Sequence, residues 1–168
     1  MGAGSQVRTK AGDLLYKFPV RRGDWRWGRR LTIGKSKVLV LGVTGGLKFV
    51  VDVFQHDGRH FRSFGEGIVK DEYEITADSH GHVMMVASDD YCVHVFTEDG
   101  THPNKFNVTT QGYDYSMACH PTGKYVVVAC KERGTGRQCV HIYTKDGEFL
   151  LNIALDEERI RSTLWRLQ

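Results

Sequence analysis

Two Cys-x-His pairs are the part of this sequence whose residue types and spacing could bind a metal ion. Cys92-Val93-His94 and Cys139-Val140-His141 each place a thiol and an imidazole two residues apart, which puts them on one face of an extended strand. A structural zinc site needs four such ligands, often with a Cys-x-x-Cys pair, and the four cysteines form no such pair. A third, similar segment has Val50-Val51-Asp52 at this place, so the cysteine position is predicted to be core. We therefore expect buried, reduced thiols, strand-edge histidines and no bound metal or other cofactor.

The remaining histidines and the repeated aspartates are predicted to serve turns. His56, His60 and His80-Gly81-His82 fall in turn segments, and an Asp-Gly pair recurs at three equivalent places. An active site needs unlike residues that converge on one point, and no nucleophile elbow, phosphate loop or pair of catalytic carboxylates is present. The sequence therefore predicts a protein that is not an enzyme. The alternative, a lactonase-like enzyme with a central metal, would need carboxylates and Asn that converge on a channel.

A basic, tryptophan-bearing segment is the candidate for binding. Residues 21–30 contain five arginines and two tryptophans, which can pair with phosphates and stack on unpaired bases. We expect loops from other parts of the chain to share its rim. The predicted binding residues are Arg21, Arg22, Trp25, Arg26, Trp27, Arg29, Arg30, Lys70, Tyr113, Arg133 and Arg137. The alternative is that the tryptophans pack in the core and the arginines are solvated around them.

A motif that occurs three times must position these candidates. Residues 51–58, 93–100 and 140–147 each combine a β-branched or aromatic run, two variable residues and Asp-Gly. The run predicts a strand, and Asp-Gly favours the tight turn of a hairpin. The aromatic residues Phe54, Phe96 and Tyr143 are 42 and 47 residues apart, a period that is typical of repeat folds.

Each repeat predicts four short antiparallel strands, which is the plan of a β-propeller blade. The predicted fold class is all-β, a partial β-propeller of four-stranded antiparallel blades. We expect blades at 12–64, 65–107 and 108–154, a flexible segment at 1–11 and the truncated start of a further blade at 155–168. A closed ring needs at least about four blades, so we expect a piece of a larger propeller.

The composition of the chain limits which classes of protein it can belong to. The chain is 40% hydrophobic and 26% charged, as in soluble globular proteins, and its formal net charge of +3 permits an acidic partner without requiring one. No stretch approaches the ~20 apolar residues of a membrane span, and the N-terminus lacks the apolar core of a signal peptide. We expect a cytoplasmic protein, with neither membrane nor DNA among its partners.

The repeat resembles the NHL-repeat β-propeller of tripartite-motif (TRIM) proteins. The segments that carry the resemblance are 53–59 and 64–67 (Val-Phe-Gln-His-Asp-Gly-Arg and Phe-Gly-Glu-Gly), 75–83, 93–100 and 142–149. The resemblance implies a six-bladed ring, of which this chain holds about half. It also implies the partner- or RNA-binding end of a RING-type ubiquitin ligase, whose RING these residues do not contain.

Two functions therefore remain open from the sequence. The leading hypothesis is a non-catalytic module that recruits a protein, such as a substrate for ubiquitin-dependent degradation. The alternative is single-stranded RNA binding through the basic, aromatic rim.

Overall fold

The computed structural model describes residues 5–8, 14–18, 30–44, 48–68, 73–87 and 89–155. All the helix or strand structure within these residues is β-strand. The strands are β1 Ser5–Arg8, β2 Leu14–Phe18, β3 Arg30–Ile33, β4 Val38–Thr44, β5 Lys48–Phe54, β6 His60–Phe64, β7 Tyr73–Ala77, β8 His82–Ala87, β9 Cys92–Thr97, β10 Asn104–Asn107, β11 Gly112–Cys119, β12 Tyr125–Glu132, β13 Gln138–Thr144 and β14 Phe149–Leu155. Among the described residues no helix is long and apolar enough to cross a membrane.

The strands form three four-stranded antiparallel sheets in which each strand pairs with the next along the chain. We call β3–β6 the first sheet, β7–β10 the second sheet and β11–β14 the third sheet. The innermost strand of the second sheet, β7, packs against the innermost strands of both neighbours, β3 and β11. Up-and-down sheets with adjacent inner strands have the arrangement of propeller blades.

The core lies between the sheets. Leu39, Val51 and Val53 of the first sheet pack against Val83 and Met85 of the second. On the other side of the second sheet, a separate cluster joins it to the third sheet through Met84, Val86, Val93, Val126 and Val128. Strand β8 therefore buries both of its faces, which explains its unbroken apolar sequence.

The Asp-Gly pairs form the turns that the sequence predicts, and they also make room for the neighbouring sheet. Gly100 and Gly147 have φ values of +86° and +92°, in the left-handed region that glycine tolerates. A Cβ on Gly100 would lie 2.9 Å from Cβ of Phe64, and one on Gly147 would lie 2.4 Å from Cβ of Phe106. The outermost strand of each of the first two sheets thus packs a phenylalanine on the Asp-Gly turn of the following sheet.

The first strand lies within the segment 1–11, whose expected flexibility stays a prediction. Strand β1 pairs antiparallel with β2, with Ser5 opposite Phe18 and Val7 opposite Tyr16. A short polar segment has no periodicity of its own, and the backbone hydrogen bonds to β2 define this strand. The boundaries between blades also stay predictions, and the third sheet ends at Leu155, one residue beyond the expected span of 108–154.

Candidate binding surface

Three of the four described residues that the sequence predicts for binding lie at one end of the third sheet. Tyr113 stands near the start of β11 and pairs with Lys131 near the end of β12, next to the loop that carries Arg133 and Arg137. We call these residues, with Asp114, the rim cluster. The side chains of the three predicted members are exposed.

A bulge in β11 aims the side chains of the rim cluster. Tyr113 pairs with Lys131 and Ser116 with Ala129, so two residues of β11 oppose one residue of β12. Asp114, one of the two, has a φ of 53°, a left-handed conformation that Asp adopts more readily than most residues. Nearby Gly112 is buried, and a Cβ there would lie 2.9 Å from Sγ of Cys130. The bulge therefore follows a glycine at which a larger residue would contact β12.

The bulge brings opposite charges together beside an aromatic ring. The Lys131 ammonium lies 2.9 Å from Oδ2 of Asp114 and 5.9 Å from the centroid of the Tyr113 ring. The hydrogen bond to Asp114 raises the pKa of Lys131 above its usual value, and the attraction between the two charges acts in the same direction. A cation at this distance from a ring is weakly attracted to it, so the tyrosine and the lysine stabilise each other slightly.

Backbone hydrogen bonds fix the arginine loop. The Arg133 amide donates to the carbonyl of Gln111 at 2.9 Å, and the Glu132 amide donates to the carbonyl of Arg137 at 2.8 Å. Within the described part of the chain, neither guanidinium forms an ion pair. The loop therefore presents two uncompensated positive charges from a fixed backbone.

The other predicted binding residues are not part of this cluster. Arg30, at the start of β3, forms an ion pair with Glu74 of β7 at 3.1 Å, which links the first and second sheets. Its guanidinium therefore has a partner within the fold. The candidates Arg21, Arg22, Trp25, Arg26, Trp27, Arg29 and Lys70 lie outside the described residues and stay predictions.

The Cys-x-His pairs lie inside the fold. Cys92 and Cys139 are buried, as predicted, and burial raises the pKa of the Cys92 thiol. The expectation that His94 and His141 lie at strand edges is wrong, since their residues are only 3% and 1% exposed on the central strands β9 and β13. No group of three or more metal-ligating side chains forms among the described residues.

Each buried histidine has a polar partner from another loop. Nε2 of His94 lies 2.9 Å from Oδ2 of Asp90, and its Nδ1 lies 3.3 Å from Nε2 of His102. Nδ1 of His141 lies 2.8 Å from Oγ1 of Thr109, and burial lowers the pKa of this imidazole. The partners of His94 lie within eight residues of it, whereas Thr109 is 32 residues from His141, and in both cases a polar group takes the place of the solvent expected around the ring.

Sequence reasoning missed Lys131 and Asp114. Neither belongs to a motif, and their ion pair depends on a bulge that places residues of two strands side by side. The alternation of exposed and buried residues in β11 breaks at 113–114, where two exposed residues follow each other. That irregularity is visible only once the strand has been assigned.

Comparisons with known proteins identify the fold and go no further. No family model matches the sequence, and no curated protein matches it. Among solved structures, hydrazine synthase of Kuenenia stuttgartiensis matches with a TM-score of 0.64 at 12% identity, over 88% of this chain and 42% of that chain. The Dos1 propeller matches with a TM-score of 0.61 at 13% identity, over 86% of this chain and 37% of that chain. A quinoprotein alcohol dehydrogenase-like protein from Bacteroides thetaiotaomicron matches with a TM-score of 0.58 at 12% identity, over 76% and 33%.

These matches confirm the predicted fold class. The chain is a partial β-propeller made of four-stranded antiparallel blades, and it spans less than half the length of each of these three structures. At such low identities the likeness concerns the fold alone.

Proposed function

We propose that this chain is a non-catalytic propeller segment of the NHL type that recruits an acidic protein partner through the rim cluster. The observation that carries the proposal is the group formed by Tyr113, Lys131, Arg133 and Arg137 at one end of the third sheet. Exposed tyrosine and arginine side chains are the residue types that contribute most to protein interfaces. A partner surface rich in carboxylates would complement the two arginines.

The geometry favours a binding role because the cluster is ordered before any partner arrives. The Lys131–Asp114 ion pair and the bulge hold the Tyr113 ring, and main-chain hydrogen bonds hold the arginine loop. Little backbone entropy is then lost on binding. The NHL-type phrases of the sequence support the more specific role in substrate recruitment by ubiquitin ligases, whose catalytic activity would belong to full-length relatives.

The proposal that the segment is not an enzyme rests on the use of its reactive groups. His94 and His141 are buried and hydrogen-bonded to Asp90 and Thr109. The Cys92 thiol is buried as well. Groups of this kind serve the core and cannot reach a substrate.

A matched pair of variants tests the binding role. The purified chain would be immobilised for capture of partners from a cell extract, and captured proteins would be re-tested in purified form. Tyr113→Ala combined with Arg133→Ala and Arg137→Ala should weaken the interaction at least about tenfold. The control is Tyr125→Ala with Lys124→Ala and Lys145→Ala, which removes an exposed tyrosine and two exposed cations from the opposite ends of the same strands. Equal binding by both triple variants would contradict the proposal.

Single-stranded RNA is the second candidate, because an exposed ring beside cations can stack on a base while arginines contact phosphates. The test is fluorescence anisotropy with a labelled single-stranded oligonucleotide at several salt concentrations. RNA binding predicts that loss of Arg133 and Arg137 lowers the slope of log K against log salt by about 0.7 for each phosphate contact removed. A slope that is unchanged in this variant, or no binding at low salt, would leave the protein partner as the better proposal.

A further inference from the structure

Two of the four cysteines lie directly opposite each other in the third sheet. Cys130 of β12 pairs with Cys139 of β13, and both side chains belong to the apolar cluster between the second and third sheets. The two residues are 4% and 7% exposed, and both thiols are free. We call these two residues the cysteine pair. Their side chains lie beside each other on the same side of the sheet, within the core.

The hydrogen bonds at the two ends of these strands show how the cysteine pair is aligned. The Glu132 amide donates to the carbonyl of Arg137, and at the other end the Lys145 amide donates to the carbonyl of Lys124. Hydrogen-bonded residue pairs alternate with non-hydrogen-bonded ones along antiparallel strands, and both of these pairs lie an even number of residues from the cysteine pair. The cysteine pair is therefore a hydrogen-bonded pair, a type in which the Cα atoms lie about 5.5 Å apart.

This alignment permits a disulfide and strains it. Disulfide-bonded residues have Cα atoms about 4.4–6.8 Å apart, so the strands can stay paired when the bond forms. Their Cβ atoms lie about 3.5–4.5 Å apart, whereas those of a hydrogen-bonded strand pair lie about 5.5 Å apart. The two strands must therefore approach each other locally. Strain of this kind makes a disulfide easier to reduce, so we expect a reversible bond.

Burial determines which reagents can oxidise the cysteine pair. Burial raises the pKa of Cys130 to about 11, and the neighbouring thiol of Cys139 acts in the same direction. At neutral pH this thiol is almost entirely protonated, so its first reaction is slow. A bulky disulfide reagent cannot contact a buried sulfur in the folded chain, whereas hydrogen peroxide is only slightly larger than water. A peroxide is therefore the class of oxidant that suits this site.

We propose that the cysteine pair is a reversible oxidation site that forms a cross-strand disulfide on reaction with a peroxide. One thiolate attacks a peroxide oxygen and the O–O bond breaks. The sulfur becomes a sulfenic acid, and the leaving hydroxide takes up a proton to form water. The opposite thiol then attacks the sulfenic sulfur, and a second water leaves. Two thiols and one hydrogen peroxide thus give one disulfide and two waters. The site lies in the core, so this inference does not depend on the proposed function.

The other two cysteines are controls within the same chain. Cys92 is as deeply buried, at 3% exposed, but neither of its partners across the strands is a cysteine. Cys119 is eleven residues from Cys130, against nine for Cys139, and it stands opposite a valine. Burial alone would not distinguish Cys92 from the cysteine pair, and closeness in sequence would favour Cys119 nearly as much as Cys139. The pairing in the sheet is the property that only the cysteine pair has.

The test uses the full reduced chain, treated with hydrogen peroxide under conditions in which it stays folded. The remaining thiols are alkylated in denaturant and counted by intact mass, and tryptic mapping without reduction locates the disulfide. Two of the four thiols should be lost together, in linked peptides that contain Cys130 and Cys139. Millimolar reduced glutathione should restore all four, with two glutathiones oxidised for each disulfide. Cys139→Ala should form no disulfide within the chain, whereas Cys92→Ala should form it as the natural sequence does.

Three results would overturn the proposal. A folded chain that forms no disulfide at any peroxide concentration up to unfolding has no such site. Linked peptides that contain Cys92 or Cys119 would show that the pairing in the sheet does not select the reacting thiols. A disulfide that glutathione does not reduce would be a permanent crosslink. Circular dichroism shows whether each variant and the oxidised chain are folded, and Cys130→Ala provides the same comparison if Cys139→Ala does not fold.

Discussion

The two sheet-to-sheet interfaces have the same apolar contact and different polar ones. Between the first and second sheets Phe64 packs on Gly100, and between the second and third sheets Phe106 packs on Gly147. The polar contacts of the first interface involve charged groups near the surface, as in the ion pair of Arg30 with Glu74. Those of the second interface are neutral.

The second interface is held by hydroxyl groups instead. In the segment that connects the two sheets, the Thr109 amide donates to the Tyr143 hydroxyl at 2.9 Å, and between the sheets the Ser79 hydroxyl donates to the carbonyl of Pro121 at 2.6 Å. In the first interface Phe96 takes the place of Tyr143 and has no hydroxyl. The comparison shows that the two interfaces share the apolar contact, whereas each satisfies its polar groups in its own way.

Removal of the ring of Phe106 or Phe64 should have the largest effect on stability, and the two losses should differ between the two interfaces. Phe106 is 9% exposed and packs against Tyr143, with ring centroids 5.4 Å apart, whereas Phe64 is only half-buried. Phe106→Ala should lower the free energy of unfolding by about 3–5 kcal/mol, and Phe64→Ala by less. Urea unfolding followed by fluorescence measures both. If Phe106→Ala does not fold, Phe106→Leu should still lose more stability than Phe64→Leu. Equal losses of stability would mean that the two contacts are equivalent.

A methyl group on the turn glycine should have the next largest effect. Gly147→Ala adds a Cβ at 2.4 Å from Phe106, and Gly100→Ala adds one at 2.9 Å from Phe64. Gly134 is the control, since its φ is also positive at +94° and a Cβ there meets nothing within 4 Å. Gly134→Ala should cost only the backbone strain of about 1–2 kcal/mol, and Gly147→Ala should cost about 1–3 kcal/mol more from overpacking. In thermal unfolding, the stability of Gly100→Ala should lie between those of Gly134→Ala and Gly147→Ala. A Gly147→Ala variant that is no less stable than Gly134→Ala would refute the steric explanation.

The sequence was sufficient for the parts of the fold that depend on local patterns. Strand alternation and the Asp-Gly turn are properties of a few consecutive residues, so the repeat around Phe54, Phe96 and Tyr143 predicted the central strands and the turns that follow them. Asp57 and Asp99 serve those turns as expected, because each carboxylate accepts a hydrogen bond from the amide two residues later. These elements repeat, and the repetition strengthened the prediction.

Contacts between residues distant in sequence could not be predicted in this way. Nothing near His141 indicates that Thr109 will partner its ring, so the sequence predicts a strand-edge histidine and not a buried one. The ion pair of Lys131 with Asp114 depends on a bulge and on the left-handed backbone conformation of Asp114. A glycine would have indicated such a conformation in the sequence, but the residue at this position is an aspartate. The propeller plan itself predicts that the loops of Tyr113, Arg133 and Arg137 share a rim, and the proximity of these residues follows from the pairing of β11 with β12.

Loss of the hydrogen bond between the Thr109 amide and the Tyr143 hydroxyl should have a smaller but measurable effect on stability. Tyr143→Phe removes the hydroxyl that accepts from the Thr109 amide at 2.9 Å and lies 3.0 Å from its Oγ1. The variant leaves a partly buried amide without its partner, and we expect a loss of about 1–2 kcal/mol in the free energy of unfolding. Hydrogen exchange at Thr109 should accelerate at the same time. An unchanged exchange rate would show that this contact does not hold the interface, whatever the change in stability.

The charged link of the first interface should have the smallest effect, and that result would complete the comparison. Oε2 of Glu98 accepts from the Ser36 hydroxyl at 2.8 Å, and Oε1 accepts from the Ser36 amide at 3.1 Å. Because these groups are exposed, water can replace each contact, and Glu98→Gln should lower the free energy of unfolding by less than about 1 kcal/mol. The loss should shrink further in high salt, where the Tyr143→Phe loss should stay constant. A Glu98→Gln variant that loses more stability than Tyr143→Phe would show that surface charge, and not the buried hydroxyl, holds neighbouring blades together.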